Sequence, residues 1–195
     1  RVYFRATLTR GETCIVMQMP AGRQSASEEI TNFQGPRLEP PFLNVARYLE
    51  KAGIPAPKVL DTDLDAGLIL LQDLGDKTLE KLLPDCNASM RDFFYKQAID
   101  LLLQFQKAGQ ERPDPECMAF QRSFDLPLLL WEFEHFIEWG LEKREGKALS
   151  AAEGKELRAM FDDIATRLDT APRFLNHRDY HSWNLFVQDG EIRVI

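Results

Sequence analysis

His177-Arg178-Asp179-Tyr180-His181-Ser182-Trp183-Asn184 is the stretch whose reading decides the fold. An acid stands two residues after a histidine, and an amide follows the acid by five. Phosphoryl transfer asks for such a pair: a carboxylate to orient the attacking hydroxyl and take its proton, and a hard oxygen donor for a divalent cation. Asp179 suits the first role and the amide carbonyl of Asn184 the second. A loop of this length can bend so that both groups face one phosphate. The plainer alternative is a surface loop in which the two residues only make turns.

The flanks favour the first reading. Arg173-Phe174-Leu175-Asn176 is a short apolar approach, and Leu185-Phe186-Val187 leaves the loop as a strand. Gln188-Asp189-Gly190 reads as a hairpin turn, and Glu191 to Ile195 as the returning strand.

The chain has 195 residues, enough for one large domain or two small lobes, and 44% hydrophobic residues, enough for a real core. Its net charge of -7, with no basic stripe, argues against a nucleic-acid or anionic-membrane surface. Cys14, Cys86 and Cys117 lack metal-ligand spacing and read as free thiols of a reducing compartment, so the cytoplasm is the expected location. Nothing reads as a signal peptide, and no apolar run is long enough to span a bilayer. The opening at Arg1 in a strand pattern, and the close at Ile195 within another, lead us to expect a longer parent chain.

From the start, Val2, Phe4, Ala6 and Leu8 alternate with polar or aromatic neighbours, the pattern of a half-buried strand. Thr13 to Met19 is its partner. Residues 22–41 read as a polar loop. Phe42, Val45, Ala46 and Leu49 mark a helix ended at Ala52-Gly53. Lys58 to Asp61 and Leu68 to Gln72 are two further strands. Helices then dominate. A short one runs from Thr78 to Leu83. A long one carries Phe93, Phe94, Leu101 and Phe105 to Ala108-Gly109, with a capping box expected at Ser89 and Asp92. Another spans Leu126 to Glu142. A last one is capped by Ser150 and Glu153, with Leu157, Met160, Phe161, Ile164 and Leu168 as its expected buried stripe.

A β-rich first part followed by a helical part bearing H-R-D-x-x-x-x-N resembles the protein-kinase-like fold. The nearer resemblance is to the aminoglycoside phosphotransferase and choline kinase group. Within it, Val2 to Arg5, Leu70-Leu71-Gln72-Asp73-Leu74-Gly75-Asp76 and His177 to Leu185 look like the bacterial anomeric kinases of N-acetylmuramate and N-acetylglucosamine. The resemblance implies an α+β, two-lobe fold: a small antiparallel β lobe over residues 1–74 that binds nucleotide, and a larger, mostly helical lobe over 75–195 that carries the catalytic loop.

It also implies roles. Asp179 becomes the catalytic acid/base and Asn184 a Mg²⁺ ligand. Gln72, Asp73 and Leu74 become the linker whose backbone meets the adenine of ATP. His177 is expected to be a packed support, whereas His181 either meets substrate or caps the loop backbone. The departures matter too. The strand expected to carry an ATP-phosphate lysine reads Cys14-Ile15-Val16-Met17-Gln18-Met19, and Arg5 is the candidate replacement. A Mg²⁺-binding aspartate is expected within a residue or two beyond Ile195, and a stop codon there would remove the metal pair.

The helix from Leu126 offers a further candidate. Leu129, Leu130, Phe133, Ile137, Gly140 and Leu141 make an apolar arc that reads as core. Glu132, His135, Phe136 and Trp139 share another, and an acid, an imidazole and an indole together suit a sugar. The expectation is an ATP- and Mg²⁺-dependent kinase of a small molecule, acting as a monomer on the anomeric hydroxyl of a cell-wall amino sugar. The alternatives are an aminoglycoside or choline-like phosphotransferase, and a non-catalytic nucleotide-binding module.

Overall fold

The computed structural model describes residues 1–19 and 39–195; most of the expected 22–41 loop lies outside them. The described residues form two compact units, one of 1–19, 39–120 and 174–195, the other of 121–173. The boundary expected near residue 74 runs through the first.

In the first unit, β1 (Val2–Thr7) pairs with β2 (Thr13–Gln18), which pairs with β4 (Leu68–Gln72), which pairs with β3 (Val59–Asp63). All pairings are antiparallel, in the order β1-β2-β4-β3. β1 departs from the half-buried reading. It pairs with β2 alone among the described strands, and Val2, Phe4 and Leu8 are exposed. Met17, Ile69 and Leu71 form the buried face, against which Phe42 and Leu43 pack.

Helix α1 (Pro41–Ala52) starts on a proline, whose missing N–H costs nothing in the first turn. It ends at Gly53, left-handed at φ 71°, while Ile54 N–H closes back on Leu49 O. Its far end turns Tyr48 and Ala52 into a second core. That core joins α2 (Leu79–Leu82) and α3 (Ala88–Glu111) to the hairpin of β5 (Leu185–Gln188) and β6 (Glu191–Val194). The hairpin turn has positive φ at both Asp189 and Gly190, as a two-residue loop matched to strand twist requires.

Helix α3 corrects two expectations. Asn87, not Ser89, is its N-cap, accepting from Met90 N–H at 2.9 Å. The asparagine wins because it stands just outside the first helical residue, where the free amides point. At the other end Gly109 does not stop the helix, which runs on to Glu111. A Cβ there would lie 2.5 Å from Leu175 Cβ, so the glycine admits the chain entering the catalytic loop.

The second unit pairs α4 (Leu126–His135) with α5 (Ala151–Asp169). Asp125 caps α4, and Ser150 with Glu153 forms the expected capping box of α5. The expected single helix to Glu142 instead widens into a π-helix over Phe136–Lys143. Gly140 accommodates the Phe136 ring, which would meet a Cβ at 2.8 Å. The α5 stripe is rotated from expectation: Gly154 and Ala165 are buried and Phe161 stacks on Phe133 at 4.3 Å, whereas Met160, Ile164 and Leu168 are exposed. The covered row runs through 154, 161 and 165, with Phe161 drawn inward by its stack on Phe133.

Gly109→Ala tests the close approach at Leu175. Helix propensity alone favours alanine by about 1 kcal/mol, and overpacking opposes it by about 1–3 kcal/mol. We expect a lower urea midpoint; an equal or higher one would show that Leu175 yields.

Candidate active site

The loop between α5 and β5 is fixed from several directions within the first unit. Tyr180 donates its hydroxyl proton to Ala98 O on α3 at 2.6 Å, and burial pushes its pKa up to about 12. His177 packs edge-on against Phe105 and Tyr180. Its Nε2 lies 3.0 Å from Ile195 O, an acceptor only, so that nitrogen carries the proton. Burial lowers its pKa, against the upward pull of that carbonyl and of Asp179. Arg178 adopts φ 73°, a left-handed conformation costly for a side chain of its size, and its N–H is held by Asn176 Oδ1. This reversal delivers Asp179 to the surface.

Asp179 is gripped on both carboxylate oxygens. Asn184 Nδ2 donates to Oδ2 and to the backbone oxygen, each at 2.9 Å. His181 Nε2 meets Oδ1 at 3.0 Å while its Nδ1 accepts from Trp183 N–H at 3.2 Å. His181 is therefore the Nε2–H tautomer, and it caps the backbone and holds the acid at once. Because the Asn184 nitrogen faces Asp179, its carbonyl oxygen is the atom left to accept from elsewhere. A hard neutral oxygen beside a carboxylate is a donor set that suits Mg²⁺. Among the described residues no group of three or more His, Cys, Asp or Glu side chains gathers as a ready-made metal cage.

A cavity of about 410 Å³ lies in the same unit, lined by Thr13, Asp73 to Lys77 and Val187 to Asp189. It is of a size that takes a small ligand. Asp73 and Leu74, two of the three residues expected to form the linker, are in its wall. Gln72 is outside the wall, and its side chain accepts from Lys58 N–H at 3.3 Å and reaches Gln188 at 3.5 Å, tying sheet to hairpin.

Arg5 also departs from the sequence reading, which places it at the ATP phosphates. Its Nε and Nη2 donate to Asp73 at 2.6 and 3.1 Å, and its Nη1 and Nη2 to Asp76 at 3.0 and 2.9 Å. Four of its five N–H groups are thus spent on protein carboxylates. Burial would raise the Asp73 pKa, but hydrogen bonds from Arg5, the Gly75 amide and Thr13 hold it below the carboxylate range.

The remaining candidates lie in the second unit. His135 stacks on Trp131 at 4.9 Å and lines a cavity of about 310 Å³ with Trp131, Glu134, Glu138, Glu142 and Arg158. Glu132 and Trp139 are not in its wall, and Trp139 is exposed. Sequence reasoning missed Trp131, which stands four residues before His135, the spacing that brings helical side chains together.

The model of the "Phosphotransferase enzyme family" matches residues 1–195, the whole chain. The chain belongs to that family. Its fold is accordingly α+β and protein-kinase-like, with two lobes. The curated relatives it matches include proteins named N-acetylmuramate/N-acetylglucosamine kinase. That of Neisseria meningitidis serogroup B is 28% identical over 196 residues, covering 100% of this chain and 52% of the relative. That of Pseudomonas aeruginosa is 31% identical over 155 residues, 80% of this chain and 43% of the relative. That of Caulobacter vibrioides is 32% identical over 163 residues, 78% and 43%. The chain thus spans about half the length of these relatives.

Burial in the fold disfavours the protonated form of His177. Protonation is easier in the unfolded chain, so its contribution to stability is complete above the ordinary value of 6.5 and is lost as pH falls through 6.5 toward the lower folded value. His177→Gln cannot titrate, so its melting temperature should fall less than the parent's between about pH 7.5 and about pH 5.5. Parallel pH curves would exclude His177 as the source.

Proposed function

We propose that this chain supplies the nucleotide-binding and catalytic-loop portions of an ATP- and Mg²⁺-dependent small-molecule kinase, with the boundary between them near residue 74. The acceptor is the anomeric hydroxyl of a cell-wall amino sugar, N-acetylmuramate or N-acetylglucosamine. The observation that carries the reading is the Asp179 carboxylate held between Asn184 and His181 on a loop with a left-handed residue before the acid. The names of the relatives direct it to these sugars.

Asp179 orients the acceptor hydroxyl through one carboxylate oxygen and takes its proton as the oxygen attacks. Its two holders keep that oxygen aimed, so the reorientation cost is met before the acceptor arrives. Asn184 offers its carbonyl oxygen to Mg²⁺, which when bound neutralises phosphate charge. The cavity bounded by Asp73 to Lys77 takes the nucleotide. In the second unit, His135 and the exposed Trp139, ring centroids 6.1 Å apart, offer a sugar an imidazole and an apolar ring face, and the half-buried Glu132 is the candidate acid of the same helix. The protein works in the cytoplasm as a monomer.

A screen of the complete protein for ATP turnover with N-acetylmuramate, N-acetylglucosamine, an aminoglycoside and choline tests the reading. Turnover with the two acetylated sugars alone is expected. Turnover confined to the aminoglycoside or choline would move the acceptor class, and ATP binding without turnover would favour the non-catalytic module, which the lack of a lysine in Thr13–Gln18 also motivates.

Asp179→Asn should cut kcat by about 10²–10⁴-fold with ATP affinity nearly unchanged, since the base acts on the acceptor. A kcat within about threefold of the parent, far short of that range, would release Asp179 from the role. His181 separates into its two contacts. His181→Gln keeps a donor near the Nε2 position and should retain most of kcat. His181→Asn keeps only the backbone cap and should lose about tenfold or more. The reverse order would make the cap the part that matters.

A further inference from the structure

The cluster of Arg5, Asp73 and Asp76 is left without a role once Arg5 is no longer a phosphate ligand. We propose that Arg5 is a positioning residue, an ionic strut that holds the 73–76 turn in the shape that receives the base of the nucleotide. The inference rests on the nucleotide reading above and adds what sets the shape of that site.

Arg5 sits on β1 opposite Ile15 of β2, and β2 in turn lies beside β4, with Cys14 opposite Gln72. The guanidinium therefore crosses a strand to reach the residues that follow β4. There it takes two carboxylates at once, four hydrogen bonds between 2.6 and 3.1 Å. A planar fork can make all four, and a lysine ammonium, with three donors on one nitrogen, cannot.

One of the carboxylates it takes is bonded within the turn. Asp73 Oδ1 also accepts from Gly75 N–H at 2.8 Å, and Gly75 stands at φ 81°, a conformation glycine adopts without strain. Arg5 thus grips the acid that ties the turn to itself. Without Arg5, Asp73 and Asp76 would bring two like charges together, and the turn would open to separate them. Thr13, Asp73, Gly75 and Asp76 are all in the wall of the 410 Å³ cavity, so an opened turn changes the cavity. The Asp73 side chain is only 6% exposed, which shields its half of the strut from solvent, while Asp76 at 74% is the weaker half.

A strut and a phosphate ligand differ most clearly toward adenosine, which has a base and no phosphate. In the complete protein, Kd for adenosine and for ATP is measured by titration calorimetry for the parent, Arg5→Ala, Arg5→Lys, Asp76→Asn and the double variant Arg5→Ala/Asp76→Asn, with melting temperatures alongside. We expect Arg5→Ala to weaken adenosine by about fivefold or more, Arg5→Lys to restore little of it, and Asp76→Asn to weaken it by about two- to threefold. The double variant should be no weaker than Arg5→Ala, because both changes break the same contact. An adenosine Kd in Arg5→Ala within about twofold of the parent overturns the strut. If Arg5→Ala does not fold, the exposed Asp76 decides: unchanged adenosine affinity with equal or tighter ATP in Asp76→Asn overturns it. A parent protein that binds neither ligand overturns the nucleotide reading itself, and the strut with it.

Discussion

The arrangement of the loop at 177–184 depends on one constraint: a carboxylate must stand at the surface and yet not move. Asp179 is exposed, so packing cannot hold it. Hydrogen bonds from Asn184 and His181 do, and these are only as firm as the loop beneath them. The loop is firm because Tyr180 is bonded to α3 and His177 is bonded to Ile195 at the end of the hairpin. The left-handed Arg178 is tolerated for the same reason, since anchors on both sides over-determine its conformation.

Those anchors explain the organisation of the first unit. The hairpin is held by Val187 N–H on Lys77 O and by Val194 N–H on Pro55 O, so it is tied to the segments after β4 and after α1. Its buried residues Leu185, Val187, Ile192 and Val194 share one core with Tyr48 of α1 and with Phe94 and Phe105 of α3. A displacement of α3 therefore reaches Asp179 through Tyr180, and a displacement of the hairpin reaches it through Asn184. Both routes run through packed or hydrogen-bonded groups.

Charge works differently in the two places. At the loop an acid is held by an amide N–H and an imidazole N–H. At the 73–76 turn two acids share one guanidinium, which neutralises part of their charge. The same residue type thus becomes a candidate base in one setting and a structural tie in the other. The difference lies in the partners, not in the acids.

Much of this was legible in the residues alone, and the reason is spacing. His177, Asp179 and Asn184 announce themselves because a local loop must place them, and local geometry is encoded in consecutive residues. The same holds for Gly53 after α1, for Asp189-Gly190 in the hairpin and for the Ser150–Glu153 capping box. Other features depended on residues far apart in the chain. Arg5 looked like a free cation because nothing near it in sequence is acidic; its partners are 68 and 71 residues away. Gly109 looked like a helix stop because Leu175, which needs its missing side chain, is brought beside it only by the fold. The α5 stripe was misread because 100° periodicity identifies apolar residues without saying which of them a partner covers. The sequence determined where the chain turns, caps and carries its chemistry, because those are short-range energies. The tertiary structure decided which charges are neutralised and which side chains are covered, because Coulomb attraction and burial depend on distance in space and not along the chain.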